Sequence, residues 1–417
     1  MNLAVISVAA LVLAILVSCV TSLNVGVLAL ALAWIIGVYL ADLSVGEVMG
    51  GFPSQLFLTL AGVTLLFTMA ESNGTLRRLA DQAVRGCRGN RGAVPIMFFV
   101  MAATLASMGP GNVSTAAILA PMAMTTAKRF GIPLFLMAIM VGNGAQAGSL
   151  SPFAPTGVIV NGLMVRIGMT GYEAQNYVYN ALAHALVAFG GYFLFGGLKL
   201  FARQPSGESS PQDASTPAKE SFEPRHWITL SVIVALLVSV IFGQVNVGMG
   251  AFLGAVVLVL SRSADDVEAI KKMPWGVMVM VCGMTVLIAL LEKAQGIDLL
   301  VSLIAKVSTP ATVTAVVAFL TGLISVYSST SGVVLPAFLP TVPGLARELG
   351  GADLFAIATS MNVGAHLVDM SPLSTTGALC LASAPAGEGN RTLFNQLLAW
   401  GLSMSVVGAI VCYLFFV

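Results

Sequence analysis

Apolar runs of about 20 residues recur along the chain, the length a helix needs to cross a hydrocarbon core of about 30 Å. They predict spans over 3–20, 24–42 and 55–72. A polar stretch follows, bearing Arg77, Arg78, Arg85, Arg88 and Arg91. Its periodicity around Leu76, Leu79 and Val84 predicts an amphipathic arm lying in the interface. Residues 93–108 and 116–127 are apolar but short, and Met108-Gly-Pro-Gly-Asn-Val-Ser-Thr115 separates them. Two short arms around a Gly-Pro-Gly tip predict a re-entrant hairpin; two tilted spans are the alternative. Next come 132–147, a polar break and 156–168, read as one discontinuous helix, and a closing span at 178–201. Residues 203–225 are rich in Ser, Pro and charge without periodicity, which predicts a flexible linker. Beyond it the pattern predicts spans 227–243, 246–262 and 274–292, an arm at 294–306, a hairpin at 310–345, a broken helix at 352–385 and a last span at 393–416.

The second half thus follows the order of the first. Residues 144–157 (GAQAGSLSPFAPTG) align with 364–377 (GAHLVDMSPLSTTG) without a gap at an offset of 220, sharing Gly, Ala, Ser, Pro, Thr and Gly. At an offset of 221, Glu47, Pro53, Gly62, Thr64 and Glu71 match Glu268, Pro274, Gly283, Thr285 and Glu292. Ser114, Thr115 and Pro121 match Ser329, Thr330 and Pro336 at 215. Matches in constant order indicate an internal duplication: a first repeat over 1–202, the linker 203–225 and a second repeat over 226–417. Each half crosses five times, an odd number, so the second enters the bilayer inverted. The expected fold is an all-α polytopic membrane protein of about ten spans and two hairpins.

Charge tests this alternation. The side reached after the first span receives 15 of the 19 Lys and Arg residues, leaving Arg166, Lys293, Lys306 and Arg347 to the other. The positive-inside rule makes the first side cytoplasmic and both termini extracytoplasmic, in an inner (plasma) membrane. A charged fraction of 9% is far below the roughly 25% of soluble domains. No basic cluster marks a nucleic-acid surface. The five cysteines form no C-x-x-C pair and read as buried hydrophobes. No positive residue precedes the first apolar run, so that run reads as a retained span.

Chemistry concentrates where the helices break. Asn112, Ser114 and Thr115 with Gly109 and Gly111 mark the first tip, and Ser328, Ser329, Thr330, Ser331 and Gly332 the second. Helix N-termini there present free N–H groups to carboxylates, and unwound carbonyls can hold Na⁺. The breaks add Asn143, Ser149, Ser151, Pro152, Pro155 and Thr156, answered by Asn362, His366, Asp369, Ser371, Pro372, Ser374, Thr375 and Thr376. All four elements should meet near the midplane. Asp369 is a carboxylate inside a membrane segment, a functional candidate by default. It could ligate a cation, carry a proton or pair with His366 one turn earlier. His184 reads as packing, and Glu71 and Glu292 as anchors of the interfacial arms. No Lys or Arg falls in the expected site, and no catalytic motif is present.

Tips bearing Ser, Thr and Asn, followed by broken helices in two inverted halves, resemble the ion transporter superfamily, which includes the divalent-anion:sodium symporters. The Gly111-Asn-Val-Ser-Thr115 tip and the short first spans are most similar to malonate carrier-like dicarboxylate carriers. The symporters carry Ser-Asn-Thr at each tip. Here the tips read Asn112-Val-Ser-Thr115 and Ser328-Ser-Thr330, with no asparagine in the second. The resemblance implies carboxylate and Na⁺ contacts at Asn112, Ser114, Thr115, Ser329 and Thr330, and a homodimer with a moving transport domain. The expected substrate set is these five with Pro155, Thr156, Thr375 and Thr376. The expected cation set is Ser114, Asn143, Gly144, Ser329, Gly364 and Asp369, with His366 and Asp369 as coupling residues. The expected activity is secondary transport of a small carboxylate, a C3 or C4 dicarboxylate, coupled to Na⁺ or H⁺. A cation/proton antiporter, or a membrane subunit of a multicomponent uptake system, are the alternatives.

Overall fold

The computed structural model describes residues 2–21, 23–85, 90–202, 222–384 and 389–416, and every regular element among them is a helix. The predicted linker lies outside the described residues up to residue 221, as do Cys87 and Arg88. The first half holds α1 (Leu3–Val20), α2 (Val25–Tyr39), α3 (Ser54–Ser72), the arm α4 (Thr75–Arg85), hairpin arms α5 (Ala93–Ser107) and α6 (Gly111–Phe130), the broken pair α7 (Leu134–Ser149) and α8 (Pro155–Arg166), and α9 (Glu173–Leu194). The second holds α10 (Pro224–Gly243), α11 (Val247–Leu260), α12 (Trp275–Lys293), the arm α13 (Gly296–Ala305), hairpin arm α14 (Val313–Ser325), a segmented return arm from Thr330 to Glu348, the broken pair α15 (Leu354–Leu367) and α16 (Thr375–Ala382), and α17 (Gly389–Phe415).

Local chemistry sets these boundaries. Asn24 and Asn246 cap α2 and α11, each accepting from the N–H of the glycine two residues on, at 2.9 and 3.0 Å. This satisfies an amide that the helix start leaves without a partner. The first hairpin turns over Met108–Pro110 alone, because Gly109 and Gly111 adopt φ of +136° and +76°. Helix α6 therefore starts at Gly111, earlier than the expected apolar stretch at 116, and places Asn112 and Ser114 in its first turn. The second return arm is segmented: a π turn (Thr330–Val334), Leu335–Phe338, a 3₁₀ turn (Leu339–Thr341) and Val342–Glu348. Pro336, Pro340 and Pro343 each remove a backbone donor there.

Among the described residues, α3, α10, α12 and Arg391–Phe415 within α17 are long and apolar enough to cross a membrane unaided. Other apolar helices are shorter. The 15 residues of α2 rise only about 22 Å at 1.5 Å per residue. Helix α9 has 22 residues but buries Asn176, Asn180 and His184.

The two halves interlock through close glycine contacts. A Cβ on Gly26 of α2 would collide with the Val279 carbonyl of α12, and one on Gly283 of α12 with the Gly26 carbonyl. In the corresponding pair, Gly62 of α3 meets the Gly248 carbonyl of α11, and Gly248 meets Thr59. Helix α2 thus packs on the other half's α12 while α11 packs on α3, so neither half is a self-contained body. The hairpin arms pack on the broken helices in the same way. Gly144 of α7 abuts the Phe99 carbonyl of α5, and Gly364 of α15 abuts the Ala318 carbonyl of α14. Such close approach of backbones is how small residues hold membrane helices together.

Candidate functional site

The repeated stretch makes the same turn twice. Ser151 and Ser371 each accept from the N–H two residues on, Phe153 and Leu373, at 3.3 Å. Gly157 and Gly377 then press against the carbonyls of Ser151 and Ser371, leaving no room for a Cβ. The second piece of each broken helix is thereby set at a fixed angle, with Thr156 or Thr376 in its first turn.

Both hairpin tips, the second turn and the start of α8 line one cavity of about 690 Å³. Helices α6, α8 and α16 all begin at it, from Gly111, Pro155 and Thr375, and none has a side-chain cap. Three positive dipole ends with unpaired N–H groups therefore converge on one space. The second tip differs: Ser329 caps its own π turn by accepting from Gly332 N–H at 3.2 Å.

A hydrogen-bonded chain joins these elements across the halves. Thr156 donates to Asn112 Oδ1 at 3.3 Å, and Asn112 Nδ2 donates to Gln146 Oε1 at 3.2 Å. Gln146 Nε2 donates to Asp369 Oδ2 at 3.0 Å and to Thr376 Oγ1 at 3.2 Å. Thr330 Oγ1 donates to Asp369 Oδ1 at 2.7 Å. The Asp369 carboxylate thus accepts from two neutral donors in a site where it is 8% exposed.

Asn112, Ser114, Pro155, Thr156, Ser329, Thr330, Asp369, Thr375 and Thr376 all line the cavity. Thr115, Asn143, Gly144, Gly364 and His366 do not; all five are buried. Asn143 Nδ2 donates to the Ile139 carbonyl and its Oδ1 faces His184, while Gly144 and Gly364 serve packing. His366 does not pair with Asp369: its Nδ1 donates to the Asn362 carbonyl at 2.8 Å, as an intrahelical contact one turn back allows.

The cavity also corrects the reading of its charges. Glu71 lines it together with Ser114, so it does not merely anchor the arm α4. Lys272 lines it too, paired with Glu268, so a cation does stand at the site. Gln146 was legible in principle, because it occupies the register of His366 in the aligned stretch. A shallower cavity of about 360 Å³ is lined by Glu47, Arg166, Val286, Ala289, Glu292 and Lys293. Glu292 there matches Glu71 of the larger cavity at the offset of 221.

Residues 1–149 match a family described as the N-terminus of the dicarboxylate carrier protein MatC. Residues 225–416 match a Na⁺/H⁺ antiporter family. No curated protein matches the chain. The crystal structure of the Alcanivorax borkumensis YdaH transporter, described as having an unusual topology, matches over 100% of this chain and 98% of that one. Its TM-score is 0.62 at 17% identity, a likeness of fold. Transporter families thus match both ends of the chain, and its fold is one a transporter uses, in keeping with the ion-transporter resemblance read from the tips and breaks.

Proposed function

We propose that this chain is a secondary carrier for a small carboxylate, most simply a C3 or C4 dicarboxylate, coupled to Na⁺ or H⁺ and working by alternating access. The convergence of three uncapped helix N-termini on one cavity carries this reading. Such termini bind carboxylates through backbone N–H groups without a fixed cation. Asn112, Ser114, Pro155, Thr156, Thr375 and Thr376 would contact the substrate, with Lys272 adding positive charge at the same cavity. Asp369 with Thr330 and Ser329 would hold the coupling cation, which is cargo here. No catalytic role is proposed.

The halves 1–202 and 226–417 would be inverted repeats that exchange roles during the cycle, as the reciprocal packing of α2 on α12 and α11 on α3 supports. The larger cavity would face the cytoplasm, since its lining includes Thr21, Asn24, Glu71, Lys272 and Pro274 from the positively charged side. Both termini would then be extracytoplasmic and the carrier a homodimer in the inner membrane. A second reading, cation/proton antiport through Asp369, is favoured by the antiporter match, which covers that half.

Uptake by purified protein in proteoliposomes separates these. Labelled dicarboxylate accumulating with an imposed Na⁺ or H⁺ gradient supports the carrier. Sodium-driven proton flux without any organic anion sinks it in favour of antiport. Transport by the purified chain alone also argues against a subunit that needs a partner.

A further inference from the structure

Gln146 joins the residues proposed to hold the anion to the carboxylate proposed to hold the cation. It lies on α7 and is fully buried. Its backbone carbonyl accepts from Ser149 Oγ at 2.7 Å and Asn180 Nδ2 at 2.9 Å, which holds the main chain in place. Its side-chain amide is bonded at both ends. Nε2 donates to Asp369 Oδ2 at 3.0 Å and Thr376 Oγ1 at 3.2 Å, and Oε1 accepts from Asn112 Nδ2 at 3.2 Å. Asn112 Oδ1 accepts in turn from Thr156 at 3.3 Å. One chain thus runs from Asp369 to a hydroxyl in the first turn of α8.

The direction of each bond follows from Asp369. A bare carboxylate only accepts, so the amide nitrogen of Gln146 must face it. The carbonyl end then faces Asn112 and needs a donor, which turns Asn112 Nδ2 toward it. Asn112 Oδ1 is left toward Thr156 and takes that hydroxyl's proton. Thr376 accepts from Gln146, so its own proton is left for the cavity. Gln146 is sealed from water and cannot exchange a lost partner for solvent. A change of sign at one end of the chain therefore passes to the other.

We propose that Gln146 is the positioning residue that couples cation to anion, by reversing its amide when a cation occupies Asp369. Such cations take oxygen ligands and repel N–H donors. Thr330, which donates to Asp369, can turn its proton to the Ala365 carbonyl at 3.3 Å. Gln146 turns Oε1 to the cation and accepts from Thr376, and its Nε2 faces Asn112. Asn112 reverses in its turn, accepting from Gln146 and donating to Thr156 Oγ1. The Thr156 proton is then free for the cavity. A Cβ on Gly111 would lie 3.0 Å from Pro155, so α6 and α8 begin side by side here. The donor offered to the anion thus moves from Thr376 to Thr156, where two helix N-termini already attract a carboxylate. The relay rests on the carrier reading above.

Succinate binding to the purified protein is titrated at fixed pH in saturating Na⁺ and with choline in its place. The ratio of the two dissociation constants is the coupling factor. Wild type should bind about tenfold or more tighter in Na⁺. Gln146→Met keeps the volume and severs the chain. Its factor should fall to about threefold or less, the remainder being direct attraction between cation and anion. Asn112→Ala severs the next link from a half-buried position at the cavity, so it decides the matter if Gln146→Met does not fold. Its factor should fall as far, and that of the double variant no further than either single one. A glutamine that merely packed α7 would weaken binding alike in both media and leave the factor as in wild type. Glu71 also lines the cavity, and Na⁺ acting there would leave the factor unchanged in both variants. Either result overturns the relay while the carrier reading stands, and a wild-type factor near one overturns the relay as well. No succinate binding in either medium sinks the carrier reading, and the relay with it.

Discussion

Asp369 is the residue on which the two halves meet, because its carboxylate takes one bond from Thr330 of its own half and one from Gln146 of the other. Asp369→Asn keeps the volume and removes the charge. A hydrogen bond to a charged group contributes about 1.5–3 kcal/mol, so gradient-driven uptake should fall roughly ten- to hundredfold. Folding, checked by size exclusion, should persist. Uptake within twofold of wild type would remove Asp369 from coupling. Asn112→Ala breaks the bonds to Gln146 and Thr156 and should raise KM about tenfold with a smaller change in kcat. Asp369, Asn112 and Thr156 were legible from sequence as polar groups at helix breaks. Glu71 and Lys272 were not, because each sits at a helix end in sequence and reaches the cavity only through tertiary packing. The pairing of His366 with Asp369 suggested by i,i+3 spacing fails because the Asn362 carbonyl, one turn back on the same helix, takes the ring nitrogen.

At the scale of elements, the hairpin and the broken helix set the geometry of the cavity. Gly109 sits at φ +136°, and a Cβ there would enter the Phe67 ring. Gly109→Ala should therefore destabilise the first tip by about 1–3 kcal/mol from overpacking alone. A lowered unfolding temperature is expected, together with weaker substrate binding. An unchanged melting temperature would contradict the tight turn. The period and length of apolar runs located these elements well, since hydrophobic pattern and Gly/Pro punctuation are written locally. The start of α6 was misplaced by five residues because Asn112, Ser114 and Thr115 look like a loop in composition yet form a helix's first turn. The segmentation of the second return arm depends on three prolines whose donors are lost in turn, which apolarity does not register.

For the whole molecule, the two cavities carry the proposed cycle. Thr68 lines the larger one and Ala289, its match at 221, the shallow one. In the exchange of roles proposed above, cysteines at these positions should label in opposite senses. Thr68→Cys should react from the cytoplasmic side at rest and be protected by substrate. Ala289→Cys should react from the outside, increasingly as the carrier turns over. Parallel labelling of both from one side would contradict the inverted arrangement. The order of elements and the charge bias were visible in the sequence. The interlocking of α2 with α12 and α11 with α3 was not, because contacts between glycines and backbone carbonyls leave no mark in hydropathy.

If the cavity binds a small dianion at its helix N-termini, calorimetric titration of the purified protein with malonate and succinate, with Na⁺ and pH varied independently, should show saturable dicarboxylate binding, strengthened by Na⁺ or by protons and weakened at least about tenfold in Asn112→Ala and Thr156→Ala. Cation binding without any dicarboxylate binding, or dicarboxylate binding unaffected by both substitutions, would contradict it.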